Sequence, residues 1–119
     1  MKYMLLIHQG TTPTPRDPEA WGRLSQDAQN AVFTAYKEIN ETPGVSAGLQ
    51  LQDPATATTV RVQDGRTLTT DGPFAELKEA IAGYLIFEAD DLDAAIELAS
   101  KIPAASMGGA IEVRPIAEW

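Results

Sequence analysis

Two stretches of the chain are apolar almost without interruption: residues 2–8, Lys-Tyr-Met-Leu-Leu-Ile-His, and residues 82–89, Ala-Gly-Tyr-Leu-Ile-Phe-Glu-Ala. Runs this short, with no polar alternation, predict strands buried on both faces. A different period follows the first run. Asp17-Pro18 reads as a helix start, because Asp can cap free amides and Pro suits the first helical position. Beyond it Trp21, Leu24, Ala28, Ala31, Ala35 and Ile39 recur at spacings of three and four, with Val32 and Tyr36 beside them. That stripe predicts one helix of about five turns, ended by Pro43-Gly44. Trp21 and Tyr36, on or beside the stripe, read as core packing. Asp90-Asp91 precedes a second stripe of Leu92, Ala95, Ile96, Ala99 and Ile102, which Pro103 stops.

The remaining segments are extended. Residues 45–51 read as a strand of small residues, broken by Asp53-Pro54. Thr58–Gln63 and Arg66–Thr70 flank Asp64-Gly65, a hairpin signal because both turn residues need positive φ. Val60 and Val62 would face Thr67 and Thr69, so this hairpin reads as a peripheral insertion at about 58–70. Ala110–Ile116 alternates, and Pro115 suits an edge strand. Gly10–Arg16, with its Thr and Pro residues, and Met107-Gly108-Gly109 read as loops.

With the hairpin set aside, the order β-α-β-β-α-β predicts an α+β, ferredoxin-like fold in one domain over residues 1–119. That topology puts the first and third main strands in the middle of the sheet, which is where the two all-apolar runs belong. Both helices would then cover one face. The other face would carry either Met4 and Leu6 or Tyr3, Leu5 and Ile7, together with Tyr84 and Ile86 or Leu85 and Phe87. A bare patch of this kind is unusual on a monomer. A homodimer packed sheet to sheet is therefore expected.

Composition narrows the chemistry. The 119 residues include 17 acidic and 9 basic ones, a net charge of −8, no cysteine and a single histidine. The absence of cysteine removes disulfides, thiolate nucleophiles and Cys-based metal sites. One histidine cannot form a two-histidine metal site within the chain. The acidic balance and scattered Lys and Arg argue against nucleic acid, which is bound by neutralising phosphates. No apolar stretch approaches the roughly 18 residues of a membrane span. A cytoplasmic protein with no cofactor, no metal and no membrane partner is expected. No GxGxxG, GxxxxGK[ST] or GxSxG occurs.

The segment DGPFAELKE at 71–79 combines a tight turn, an aromatic and several charges. Asp71 and Glu76 are candidates for an acid/base pair, Phe74 for a substrate contact and Lys78 for holding an anion. The same residues also read as turn chemistry, with Phe74 as an anchor and Glu-x-Lys-Glu as a solvated edge. His8 stands at the end of the first strand, where ligands of α/β sheets often bind, and imidazole changes charge near neutral pH. A hydrogen bond to backbone is the plainer role for it.

The chain resembles the YCII-related family, and specifically its DGPF-domain branch. The resemblance is carried by the opening MKYMLLI, the DGPFAE-x-KE box at 71–79, Gly83-Tyr84, the Asp-Leu-Asp-Ala-Ala entry at 91–95 and Ile111-Glu-Val-Arg-Pro115. It implies a dimeric α+β barrel built on the ferredoxin-like unit. Relatives with enzymatic roles act on small rings, among them a dehydrochlorinase of a hydroxylated aromatic. They use a His near the start of the first helix and an Asp in an Asp-Pro after the second. Here helix 18–41 has no His and Ile102 precedes Pro103, so that pair does not carry over. A charged box beside a sheet whose other ionisable groups look peripheral leads us to expect a small-molecule pocket at His8, Asp71, Phe74, Glu76 and Lys78. Elimination or isomerisation of a phenolic or oxo-acid substrate would use Asp71 or His8 as base, with Lys78 stabilising an oxyanion. The alternative is a non-catalytic regulatory or interaction module, since DGPF-branch members often accompany alternative sigma factors.

Overall fold

The computed structural model describes residues 1–71 and 81–118. Six strands and three helices are present among them: β1 (Lys2–His8), α1 (Pro18–Gly22), α2 (Gln26–Glu41), β2 (Val45–Gln50), β3 (Thr58–Gln63), β4 (Arg66–Asp71), β5 (Ile81–Glu88), α3 (Leu92–Ser100) and β6 (Ala110–Pro115). The main sheet has the order β2-β5-β1-β6, antiparallel throughout. The later strand β5 thus sits between β1 and β2, the split arrangement compatible with a ferredoxin-like fold. The two all-apolar runs are its centre, as their lack of polar alternation requires. Pro115 lies on an edge strand, where a missing amide is tolerated.

Strand parity selects which side chains meet the helices. Tyr3, Leu5, Ile7, Leu85 and Phe87 are buried against Ile39 of α2 and Ala95, Leu98 and Ala99 of α3, with Ile102 just beyond α3. Both helices therefore lie on one face. The opposite face carries Met4, Leu6, Tyr84 and Ile86, all half-buried, with Met4 opposite Ile86 and Leu6 opposite Tyr84.

Two expectations about the helices need correction. The single helix over 18–41 is two helices. Gly22 ends α1, and Ser25 starts α2 by accepting a hydrogen bond from the Ala28 amide at 3.1 Å. Asp17 does cap α1, accepting from the Ala20 amide. On α3 the buried face is Ala95, Leu98 and Ala99, whereas Leu92 and Ile96 are exposed. Asp91 caps this helix through the Ala94 amide at 2.9 Å.

The hairpin β3–β4 forms a separate two-stranded sheet. Its turn has Asp64 at φ 53° and Gly65 at φ 74°, the paired positive values that the Asp-Gly sequence predicts.

Candidate functional site

The loop after β1 is stapled at both ends. The Thr12 amide donates to the Gln9 carbonyl at 3.0 Å, and the Thr11 amide to the Gly108 carbonyl at 3.1 Å. Gln9 Nε2 donates back to the Thr12 carbonyl. Gly10 has φ +55° and lies so close to Gly108 that a Cβ would overlap its carbonyl oxygen. Further on, the Asp17 amide donates to the Thr14 carbonyl where α1 begins. Pro13 and Pro15 fix φ between these ties. A loop held this way cannot collapse onto the sheet, and a space remains beneath it.

That space is a cavity of about 440 Å³. Small-molecule pockets span roughly 300–1,000 Å³, so a one-ring or two-ring molecule fits. Thr12 to Arg16 form one wall, and Trp21 of α1 with Val32, Phe33, Tyr36 and Asn40 of α2 another. The floor is the seam between β2 and β5, at Gly48 to Gln50 against Ala82 to Leu85. The pairing of β2 with β5 slips between Ser46 and Leu49 at this seam. Gly48 makes the slip possible, since a Cβ there would overlap the Tyr84 carbonyl oxygen.

Aromatic rings dominate the helix side. Trp21 and Phe33 meet edge to face with centroids 5.5 Å apart. Such a pair contributes about 0.5–1.5 kcal/mol when buried. Phe33 is 56% exposed, so the contribution here is at the low end, and stability alone does not explain a large ring beside an open cavity. Tyr36 is half-buried, and burial raises its phenol above the ordinary value. At neutral pH it therefore stays protonated and is a donor, not a base.

The polar lining is sparse and one-sided. Although the chain carries 17 acidic residues, no Asp or Glu lines the cavity among the described residues. Arg16 is the charged side chain there, and its Nη1 donates to the Leu51 carbonyl at 2.6 Å. Thr12 is 9% exposed, and its Oγ1 has no hydrogen-bond partner among the described residues. A buried hydroxyl in that condition costs about 1–3 kcal/mol.

The residues proposed from sequence fall differently. His8 lies on the opposite face of the sheet from the cavity. Its Nε2 is 3.6 Å from Glu112 Oε1, and Glu112 also accepts a hydrogen bond from Arg114. The Arg114 guanidinium, as hydrogen-bond donor first and as a charge second, holds the Glu112 carboxyl below the usual carboxylate range; His8 adds a smaller contribution. Asp71 ends β4 by its backbone pairing with Thr58. Its side chain, and Phe74, Glu76 and Lys78 entirely, lie outside the described residues. Tyr36 packs against the core as expected and also lines the cavity, whereas Trp21, expected in the core, lines the cavity without joining the core cluster. Arg16 and Phe33 carried no signal of their own in the sequence. The one pointer to this wall was a Thr-Pro-Thr-Pro loop at the end of a central strand.

The chain is 38% identical over 123 residues to an uncharacterized protein of Rhizobium meliloti (strain 1021), covering 98% of this chain and 93% of that one. The profile of the YCII-related domain matches residues 1–119. From the opening strand to the last, this chain belongs to the YCII-related domain family.

Proposed function

We propose that this chain binds a small organic molecule in the cavity between α2 and the β2–β5 seam, without a metal or cofactor. The observation that carries the reading is a cavity of about 440 Å³ lined by three aromatic side chains of α1 and α2 and free of acidic residues among those described. Loops held on a rigid scaffold are where such sites form. Where the bound molecule reacts, the reaction we assign is proton transfer, an elimination or isomerisation on a phenolic or oxo-acid skeleton. The DGPF box, which also motivates assignment to the DGPF branch, supplies the reactive groups in this reading. Asp71 is the base, Phe74 and Glu76 contact substrate, and Lys78 stabilises the oxyanion. His8, beside Glu112 on the opposite face of the sheet, takes no part in this reading.

We further propose a homodimer in which two open faces pack together over Met4, Leu6, Tyr84 and Ile86. Four half-buried apolar side chains on one sheet face, away from the helices, support it.

Thermal-shift titration with single-ring ligands tests the reading. A ligand that binds only the folded state raises stability in proportion to its saturation. We expect dose-dependent shifts that disappear in Val32→Trp, which fills the cavity, and turnover that disappears in Asp71→Asn. Shifts that survive Val32→Trp would refute the cavity as the site. A silent panel, with Asp71→Asn merely less stable, would favour the non-catalytic regulatory module.

A further inference from the structure

We propose that the molecule this cavity takes is a planar organic monocarboxylate, its ring against Trp21 and Tyr36 and its carboxylate on the Arg16 guanidinium. The inference rests on the cavity being the binding site, and it names the chemical class that the site selects.

The electrostatic argument comes first. A chain of net charge −8 repels anions over most of its surface. The cavity is the exception. Its described lining has no carboxylate, and its one charged side chain is Arg16. Among the described residues a cationic ligand would find no counter-charge there. A neutral one would leave the guanidinium unused.

The geometry comes second. Arg16 projects from the segment tied down at Thr12, at Thr14 and at the start of α1. Its Nη1 is committed to the Leu51 carbonyl at 2.6 Å, which orients the planar group. A guanidinium has five N–H donors in a fixed fork, so an edge remains for a carboxylate. Bidentate pairing with one carboxylate suits a single guanidinium. A phosphate dianion would need more than one cation to enter so acidic a protein, and Arg16 is the one cation that the described lining supplies.

Shape comes third. Trp21 and Tyr36 offer flat apolar surface, while Pro13, Pro15 and Val32 close the sides. A flat molecule with one acid group satisfies each of these features.

The test uses a matched pair, trans-cinnamate and its neutral amide, cinnamamide. Trp119→Phe leaves Trp21 as the lone tryptophan of a chain that has two. In ¹⁵N-labelled protein the Trp21 indole N–H and the Arg16 Nε–H report on the cavity directly. The expected result is that cinnamate binds about tenfold tighter than cinnamamide or better, the range of a charge-assisted hydrogen bond. Cinnamate should move both signals, and cinnamamide that of Trp21 alone. Arg16→Gln should abolish the preference, bringing the cinnamate affinity down to that of cinnamamide for the same variant. Equal affinity for acid and amide overturns the carboxylate assignment and leaves the cavity reading standing. So does an Arg16 signal that stays still while cinnamate moves Trp21, an observation that needs no substitution at Arg16. If neither compound moves Trp21, both the assignment and the cavity reading fall.

Discussion

Replacing Thr12 by Val should make the unliganded protein more stable, the reverse of the usual outcome. Thr-to-Val exchanges in cores normally cost stability because a hydroxyl that had a partner is lost. Thr12 is 9% exposed, and its Oγ1 has no partner among the described residues, so the exchange removes a desolvated group and keeps the shape. An unsatisfied buried hydroxyl costs about 1–3 kcal/mol, and relief of the lower figure sets the expected gain. The entropy of unfolding is about 2.1 cal/mol/K per residue, which for this chain gives about 0.25 kcal/mol/K, so 1 kcal/mol raises Tm by about 4 °C. Thr12→Ser is the matched control. It keeps the hydroxyl and deletes a methyl, for a loss of about 0.8 kcal/mol, or about 3 °C downward. Calorimetry of the three proteins without ligand reads both signs. A Tm that falls in Thr12→Val would refute the reasoning, since it would mean that the hydroxyl is hydrogen-bonded in the folded protein.

Other consequences are open to direct measurement. Ile102, fully buried where α3 ends, should cost about 2–5 kcal/mol on truncation to Ala, read from urea denaturation. Leu6→Lys, on the open sheet face, should convert a species of twice the 12.8 kDa chain mass to a monomer in sedimentation equilibrium, with the fold intact by circular dichroism. Glu112 titrates below the ordinary carboxylate range in the folded chain, so its contribution is present above its unfolded value and is lost as pH falls through the folded one. Arg114→Ala removes the largest cause, so the Glu112 midpoint in a ¹³C carboxyl titration should move upward and acid unfolding should begin at higher pH.

The sheet was legible because burial on both faces leaves a mark in the sequence. Residues 2–8 and 82–89 lack polar alternation, and only central strands tolerate that, so their identity also fixed their place between β2 and β6. The Asp64-Gly65 turn was legible because few other residue pairs accept two positive φ values. Which side of β1 meets the helices was not legible. Tyr3, Leu5 and Ile7 are as apolar as Met4 and Leu6, and an unbroken run carries no phase. The break between α1 and α2 was hidden because Trp21, Leu24 and Ala28 keep helical spacing across it, and Ser25 reads equally well as a solvent-facing residue.

The cavity was hidden for a related reason. Trp21 and Tyr36 occupy positions where a core residue and a pocket wall have the same pattern. What separates the two is the height of the loop above them. That height is set by long-range bonds from Thr11 to Gly108 and from Arg16 to Leu51, which no local pattern encodes.

The most direct test of the account is to see where a ligand sits. Crystals of the full chain soaked with 4-bromobenzoate would locate the bromine by its anomalous scattering. The account predicts one occupied position beneath the Thr12–Arg16 loop, with the ring against Trp21 and Tyr36 and the carboxylate on Arg16. Bromine on the open sheet face beside His8 and Glu112, with the cavity empty, would contradict it.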